Sequence, residues 1–350
     1  MHRTVLPILL AALPMLLGQS CMPPEIRILT PSPGGSVTRM PLTLELDFFQ
    51  RADPQSLLVR LNGVDLTSRF TLDPPDAQSR VLAWADYVWA SSLVLPGTNQ
   101  LTAQVRIDGI LHSASATFTA VGDPYVDAVV SFTPGSGGGF NQSALPGVVL
   151  GPPKGSGLLG GSLDTVSLGL NGQIVVAFTN NVIVDGPGVD FTVFENPFLQ
   201  QGSFQVITGL FSEAGRVSVS QDGVTWYAFP CADSLSDNPF YPGCAGVYPV
   251  LANGETDARH PSIPTLAPPV SSFIGLTVPQ LVVPAGSGGD SFDLADVGLT
   301  WARYVRIDAA DHVVGPTGPD NVGFDLDAMA AVNSVPATDA NGNGIPDAVE

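Results

Sequence analysis

The last twelve residues carry the densest run of oxygen donors in the chain: Asp339, Asn341, Asn343, Asp347 and Glu350, with Gly344 and the carbonyl of Ile345 among them. Counted from Asp339, side-chain donors fall at positions 1, 3, 5, 9 and 12, a backbone carbonyl at 7 and glycine at 6. Hard cations bind through such oxygens, and glycine permits the sharp turn that aims them inward. The spacing predicts a calcium loop over this tail. More carboxylates cluster upstream: Asp185, Asp190 and Glu195; Asp290, Asp293 and Asp296; then Asp308, Asp320, Asp325 and Asp327. Of these, Asp185, Asp190, Glu195, Asp290, Asp293, Asp325 and Asp327 are the candidates for a second calcium site. Asp190 and Glu195 are five apart on one predicted strand and point to opposite faces, whereas Asp325 and Asp327 share a face. Sharing a face suits joint ligation or a solvated edge. For any single acid, a solvated turn or strand end is the plainer reading.

Catalytic constellations are sparse. Beyond the first twenty residues the histidines are His112, His260 and His312, none at metal-ligand spacing, and no G-x-S-x-G nucleophile elbow occurs. Gly155, Gly157 and Gly160 satisfy G-x-G-x-x-G, but prolines precede them and a strand pattern follows (Ile174 to Phe178), so they read as loop. A glycan hydrolase needs two carboxylates flanking a bond, and acids this plentiful keep that alternative open.

Residues 1–20 read as an export signal: His2 and Arg3, an apolar run from Val5 to Leu17, then small and polar residues up to Cys21. The segment L-L-G-Q-S-C resembles a bacterial lipobox, with Gly18 where the family prefers leucine. That resemblance implies lipid on Cys21 and a mature chain beginning 21–23. An ordinary secretory signal is the other reading. With Cys21 lipidated, Cys231 and Cys244 remain as a pair for a disulfide in an oxidising compartment.

The formal charge is −19, unevenly spread. Residues 21–120 hold nine acids and seven bases, whereas 121–335 hold twenty acids and five bases. Such a surface repels nucleic acid and suits a cation.

The elements that must position these groups are strands. Glycine and proline number 38 and 32, long helical periodicities are absent, and short β-branched runs alternate with turn residues. Residues 24–120 offer P-L-T-L-E-L-D-F, a tight turn at Asn62-Gly63 and L-P-G-T-N-Q-L-T-A-Q-V-R-I. This segment resembles the immunoglobulin-like domains of bacterial surface proteins. Trp84, Tyr87 and Trp89 within it read as packing rather than a sugar platform. In 121–335, V-S-V-S-Q-D-G-V-T-W and A-R-Y-V-R-I resemble discoidin-like (coagulation-factor type C) domains. That resemblance implies a jelly-roll sandwich binding glycans, lipids or proteins at one loop end, often with structural calcium. The tail 336–350 resembles dockerin-like and thrombospondin type 3-like calcium loops, although Pro346 and the lack of a preceding helix exclude an EF-hand pair. The expectation is an all-β chain, an Ig-like β-sandwich followed by a larger jelly-roll-like one. It would act as a non-catalytic, calcium-binding surface lipoprotein of the cell envelope, outer membrane or cell surface, recognising a glycan, lipid or protein. A purely structural envelope protein is the third reading.

Overall fold

The computed structural model describes residues 25–34, 36–37, 42–88, 97–120, 124–233, 240–254, 269–284, 286–311 and 323–350. The segment 1–20, Cys21, Trp89, His260, His312 and Asp320 lie outside them. Strands dominate, and the helices among the described residues are 3-10 turns of three or four residues. The all-β expectation holds.

In the first sandwich, alternation along Leu42–Phe49 buries Leu42, Leu44, Leu46 and Phe48 on one face. This strand lies between Ile26–Thr30 and Arg80–Val88, and Thr71–Leu72 completes the antiparallel sheet. The second sheet runs in the order Ser36–Val37, Ile110–Ala120, Gly97–Ile107, Ala52–Leu61 and Val64–Asp65. Its Val59, Leu61, Leu101, Val105 and Phe118 meet the leucines of the first in one core. Ser36–Val37 pairs parallel to the end of Ile110–Ala120, so the leading edge of the chain is shared between the sheets. This strand order is that of an immunoglobulin-like sandwich. Two hairpins close on left-handed pairs, Asn62-Gly63 (φ 51° and 86°) and Asp108-Gly109 (φ 51° and 81°). A two-residue turn of this hand matches the twist of the strands it joins. Trp84 is half-buried and its indole N–H donates to Asp73 at 3.2 Å, in keeping with packing.

The second sandwich sets a five-stranded antiparallel sheet against shorter ones. The large sheet runs Ala128–Thr133, Gln173–Ala177, Tyr304–Ala309, Gly215–Ser220 and Tyr227–Ala228. Facing it are Asp290–Phe292, Phe191–Phe194 and Ala328–Ala331, with Trp301–Ala302, Asn181–Val184 and Ser334–Pro336 as a further triplet. Ile174, Val176, Val217, Val219, Val305 and Ile307 on one side pack onto Phe191, Val193, Phe292 and Met329 on the other. Phe191 and Phe292 stack at 5.3 Å between ring centres, and Phe229 meets both edges of that pair. The V-S-V-S-Q-D-G and R-Y-V-R-I segments are neighbours here, with Ser218 opposite Arg306. A satellite hairpin, Phe198–Gln201 with Ile207–Phe211, rests on its own small core of Leu158, Leu199, Ile207, Leu210 and Phe273.

Cys231 and Cys244 form a disulfide, as expected of an oxidising, extracytoplasmic compartment. The bond spans 13 residues. Closing a loop of that size limits the unfolded chain and stabilises by about 3 kcal/mol. Replacing both cysteines with alanine is expected to cost about that much in denaturant unfolding, and reductant should then shift the parent protein but not the variant. An unshifted parent would show that the bond contributes nothing. Among the described residues no helix is long and apolar enough to cross a membrane.

Candidate metal centre

The strand Phe191–Phe194 ends in Glu195-Asn196, and the strand Asp325–Leu326 begins beside it. Glu213 sits between the satellite hairpin and the strand Gly215–Ser220. The fold brings these three acids together, with one carboxylate oxygen of each within 4.8 Å of the others. Each residue is only 1% exposed. Their hydrogen bonding follows one pattern. Glu195 Oε1 accepts from the Asp325 N–H at 3.0 Å, Glu213 Oε1 from the Gly323 N–H at 2.8 Å, and Asp325 Oδ2 from the Asn196 amide at 3.1 Å. The second oxygens, Glu195 Oε2, Glu213 Oε2 and Asp325 Oδ1, have no partner, nor does Asn196 Oδ1.

Three like charges in a dry interior are not sustainable by themselves. Burial, followed by the charge of Asp325, lifts the Glu195 and Glu213 carboxyls well above the usual carboxylate range. Burial also pushes Asp325 to about 6, although Ser167 and Asn196 donate to it. Such a cluster either keeps protons or shares a cation. It does not flank a substrate bond, because no substrate can reach residues so enclosed.

The other acids have separate tasks. Asp190 is fully buried and acts as a clamp: Oδ1 accepts from the Gly186 N–H and the Asn333 amide, and Oδ2 from the Leu294 N–H. It lies close enough to Asp185 and Asp293 for the three to share a metal ion, although Asp293 also caps the turn Leu294–Val297 through the Ala295 N–H. Asp190 and Glu195 flank the strand at its two ends. Asp325 and Asp327 do not share a ligand set. The chain leaves the strand Asp325–Leu326 before Ala328, and Asp327 turns to the Lys154 N–H at 3.0 Å. The alternation assumed from sequence ends at that break.

In the tail, Asp339 Oδ1 accepts from the Gly342 and Asn343 N–H groups and Oδ2 from the Gly344 N–H at 2.8 Å. Glu350 returns to within 2.9 Å of the Asn341 amide and also meets Asn343. Asp347 caps the Ala340 N–H instead of facing the same centre. The tail is docked on the second sandwich. Pro346 is buried, and Ala337 and Val349 pack on a cluster of Val182, Val184, Trp301 and Val335.

A cavity of about 320 Å³ opens beside the disulfide, lined by Phe229, Pro230, Cys244, Asp290, Phe292 and Asp296. Asp290 in its wall accepts from the Val247 N–H at 2.9 Å and from the Tyr248 N–H. Burial pushes its carboxyl up to about 7, against the opposing pull of these N–H groups. An unfolded aspartate titrates near 3.9. The folded state therefore holds its proton to higher pH than the unfolded state, and this group's contribution declines as pH rises from about 4 to about 7. Denaturant unfolding across that window should show a shallower decline in Asp290→Asn than in the parent. Identical slopes would assign the pH dependence to other groups.

No family model matches the chain, and no curated protein matches it. Among solved structures, three distant likenesses can be described. One is the CBM51-2 and INT domains of Clostridium perfringens ZmpB, 10% identical, covering 77% of this chain and 42% of that one, with a TM-score of 0.22. Another is the endo-β-1,4-mannanase of Thermotoga petrophila, 10% identical over 31% of this chain and 22% of that one, TM-score 0.22. A third is a chimeric titin Z1Z2 carrying a peptide from decorin, 12% identical over 53% of this chain and 77% of that one, TM-score 0.18. The chain thus spans less than half the length of the first two.

Proposed function

We propose that this chain is an exported, non-catalytic protein of the cell envelope, lipid-anchored through Cys21, that binds calcium through its tail and recognises an extracellular ligand. The observation that carries the calcium part is the closure of the tail loop. The carboxylate at position 1 captures the N–H of the glycine at position 6, and Glu350 folds back over the amides of Asn341 and Asn343. Asp339, Asn341, Asn343, the Ile345 carbonyl, Asp347 and Glu350 would hold the ion, with Asp347 turning inward from Ala340. Extracellular loops of this kind bind at roughly 0.1–1 mM. Calorimetric titration of the full chain and of a chain ending at Val335 tests the loop. A weak site present in the first and missing from the second is expected, and equal isotherms would remove the tail from the reading.

Among ligands, a glycan fits the cavity best. Asp290 and Asp296 in its wall offer acceptors for sugar hydroxyls, above an apolar floor that the mostly buried Phe229 and Phe292 form. Nucleic acid does not suit a surface of this charge. A glycan panel probed with and without calcium is expected to give binding without turnover. Hydrolysis would instead establish the enzymatic alternative, and binding to neither glycans nor lipids would leave a protein partner. The mass of the mature N-terminus, compared between the parent and Cys21→Ala, tests the anchor.

A further inference from the structure

We infer that Glu195, Glu213 and Asp325, with the amide oxygen of Asn196, hold a calcium ion inside the second sandwich, at a site independent of the tail loop. Four buried oxygens with no hydrogen-bond partner lie on these residues, one on each. On each of the three carboxylates the other oxygen is fixed by an N–H group. That division is how ligating carboxylates are oriented: an outer donor holds one oxygen while the other faces the metal.

The charge balance points the same way. Three of the domain's cations pair with acids outside the cluster, Lys154 with Asp164, Arg216 with Asp233 and Arg306 with Asp308. A divalent ion would offset most of the charge of three carboxylates that none of these cations reaches. Its identity follows from the donors. All are oxygens, without the thiolate or imidazole that selects zinc. Magnesium demands a strict octahedron and dehydrates reluctantly, whereas calcium tolerates irregular oxygen geometry. The four free oxygens would form the protein's part of a calcium shell.

The site would also act as a cross-link. Its ligands come from the end of Phe191–Phe194, the connection between the satellite hairpin and the large sheet, and the start of Asp325–Leu326. The ion would join segments up to 130 residues apart in sequence. Binding would therefore show in the unfolding of the domain as well as in the isotherm.

The test uses the full chain, stripped with a chelator and titrated with calcium chloride by calorimetry, beside Asp339→Asn, Glu213→Gln and Glu195→Gln. Glutamine keeps the shape and the acceptor for the Gly323 N–H while removing the charge. The expected result is two classes of site. Asp339→Asn loses the weak one, and each glutamine variant weakens the tight one at least about tenfold. Calcium should raise the melting temperature of Asp339→Asn and leave that of Glu213→Gln nearly unchanged. Should neither glutamine variant fold, the calcium content of folded Asp339→Asn after dialysis decides, with one ion per chain expected. Loss of all binding in Asp339→Asn, or a parent whose melting ignores calcium, overturns the buried site. A parent and Asp339→Asn with the same isotherm overturns only the tail.

Discussion

Asp47→Ala should destabilise the first sandwich by about 3–5 kcal/mol, because it leaves a buried arginine without its counter-charge. Asp47 is 6% exposed and Arg80 5%. Asp47 accepts a two-pronged pair from Arg80, Nε at 2.8 Å and Nη2 at 2.7 Å, and a second guanidinium, Arg27, bonds the same carboxylate. Arg80 also lies 4.5 Å from the centre of the Phe49 ring, so it cannot swing out to water without losing that contact. Burial works to raise the Asp47 carboxyl, but the hydrogen bonds from Arg27 and Arg80 outweigh it and hold the group below the usual carboxylate range. Its folded pKa is thus below the unfolded value near 3.9. The stabilisation is present above that value and is lost as pH falls through the folded one. Denaturant unfolding of Asp47→Ala, Arg80→Met and the double variant is the measurement. The double variant should recover part of the single loss, since an apolar pair leaves no orphaned charge. A single-variant loss under about 1 kcal/mol would show that Arg80 finds water or another partner. Calcium should leave this loss unchanged, because the carboxylate clusters described here belong to the second sandwich.

What could be read from sequence divides along the distance over which the physics acts. Period-2 runs such as Leu42, Leu44 and Leu46 state locally which face is buried, and Asn62-Gly63 states locally that a tight turn follows. Cys231 and Cys244 were legible because compartment and spacing suffice for the pair. Glu213 was missed. Its partners Glu195 and Asp325 lie 18 and 112 residues away in sequence, and only the sheet topology brings them together. One signal did exist: it is the sole charged residue between Glu195 and Arg216, set among small residues between two strand patterns. An isolated acid in such a run is a candidate for burial. Asp325 and Asp327 were misjudged for the opposite reason, since alternation was carried across a break that the sequence does not mark. The docking of the tail through Pro346 and Val349 was hidden by the polar residues around them.

Among the glycines of the second sandwich, Gly172→Ala should cost about 4 kcal/mol or more and weaken the fold around the buried acids. These residues look like loop in the sequence, yet they form a close backbone contact. Gly135 and Gly138 lie against Leu168, Gly169, Leu170 and Gly172, and Gly323 lies against Gly169. A Cβ on Gly172 would stand 1.9 Å from the Leu168 carbonyl oxygen and 2.8 Å from the Gly135 nitrogen. Both neighbours are main chain, so no side-chain rotation can relieve the clash. The contact cannot open cheaply. Gly135 N–H donates to the Leu168 carbonyl, Gly172 N–H to that of Gly169, and Leu168 N–H to that of Phe324. Relief would have to move Leu168, and Leu168 is bonded to the residue next to Asp325. Gly323, one step further, supplies the N–H that orients Glu213. Displacement at Gly172 therefore propagates through two hydrogen bonds into the carboxylate cluster. Two measurements follow: denaturant unfolding at saturating calcium, and the calcium isotherm of whatever folds. The variant should be strongly destabilised and should bind calcium more weakly than the parent at the site independent of Asp339. Gly34→Ala is the control, because a Cβ there meets nothing within 4 Å. Its positive φ of 75° should still cost about 1 kcal/mol from backbone strain alone. A Gly172→Ala loss no larger than the control's would mean that the glycine contact is loose in solution and does not position Glu213.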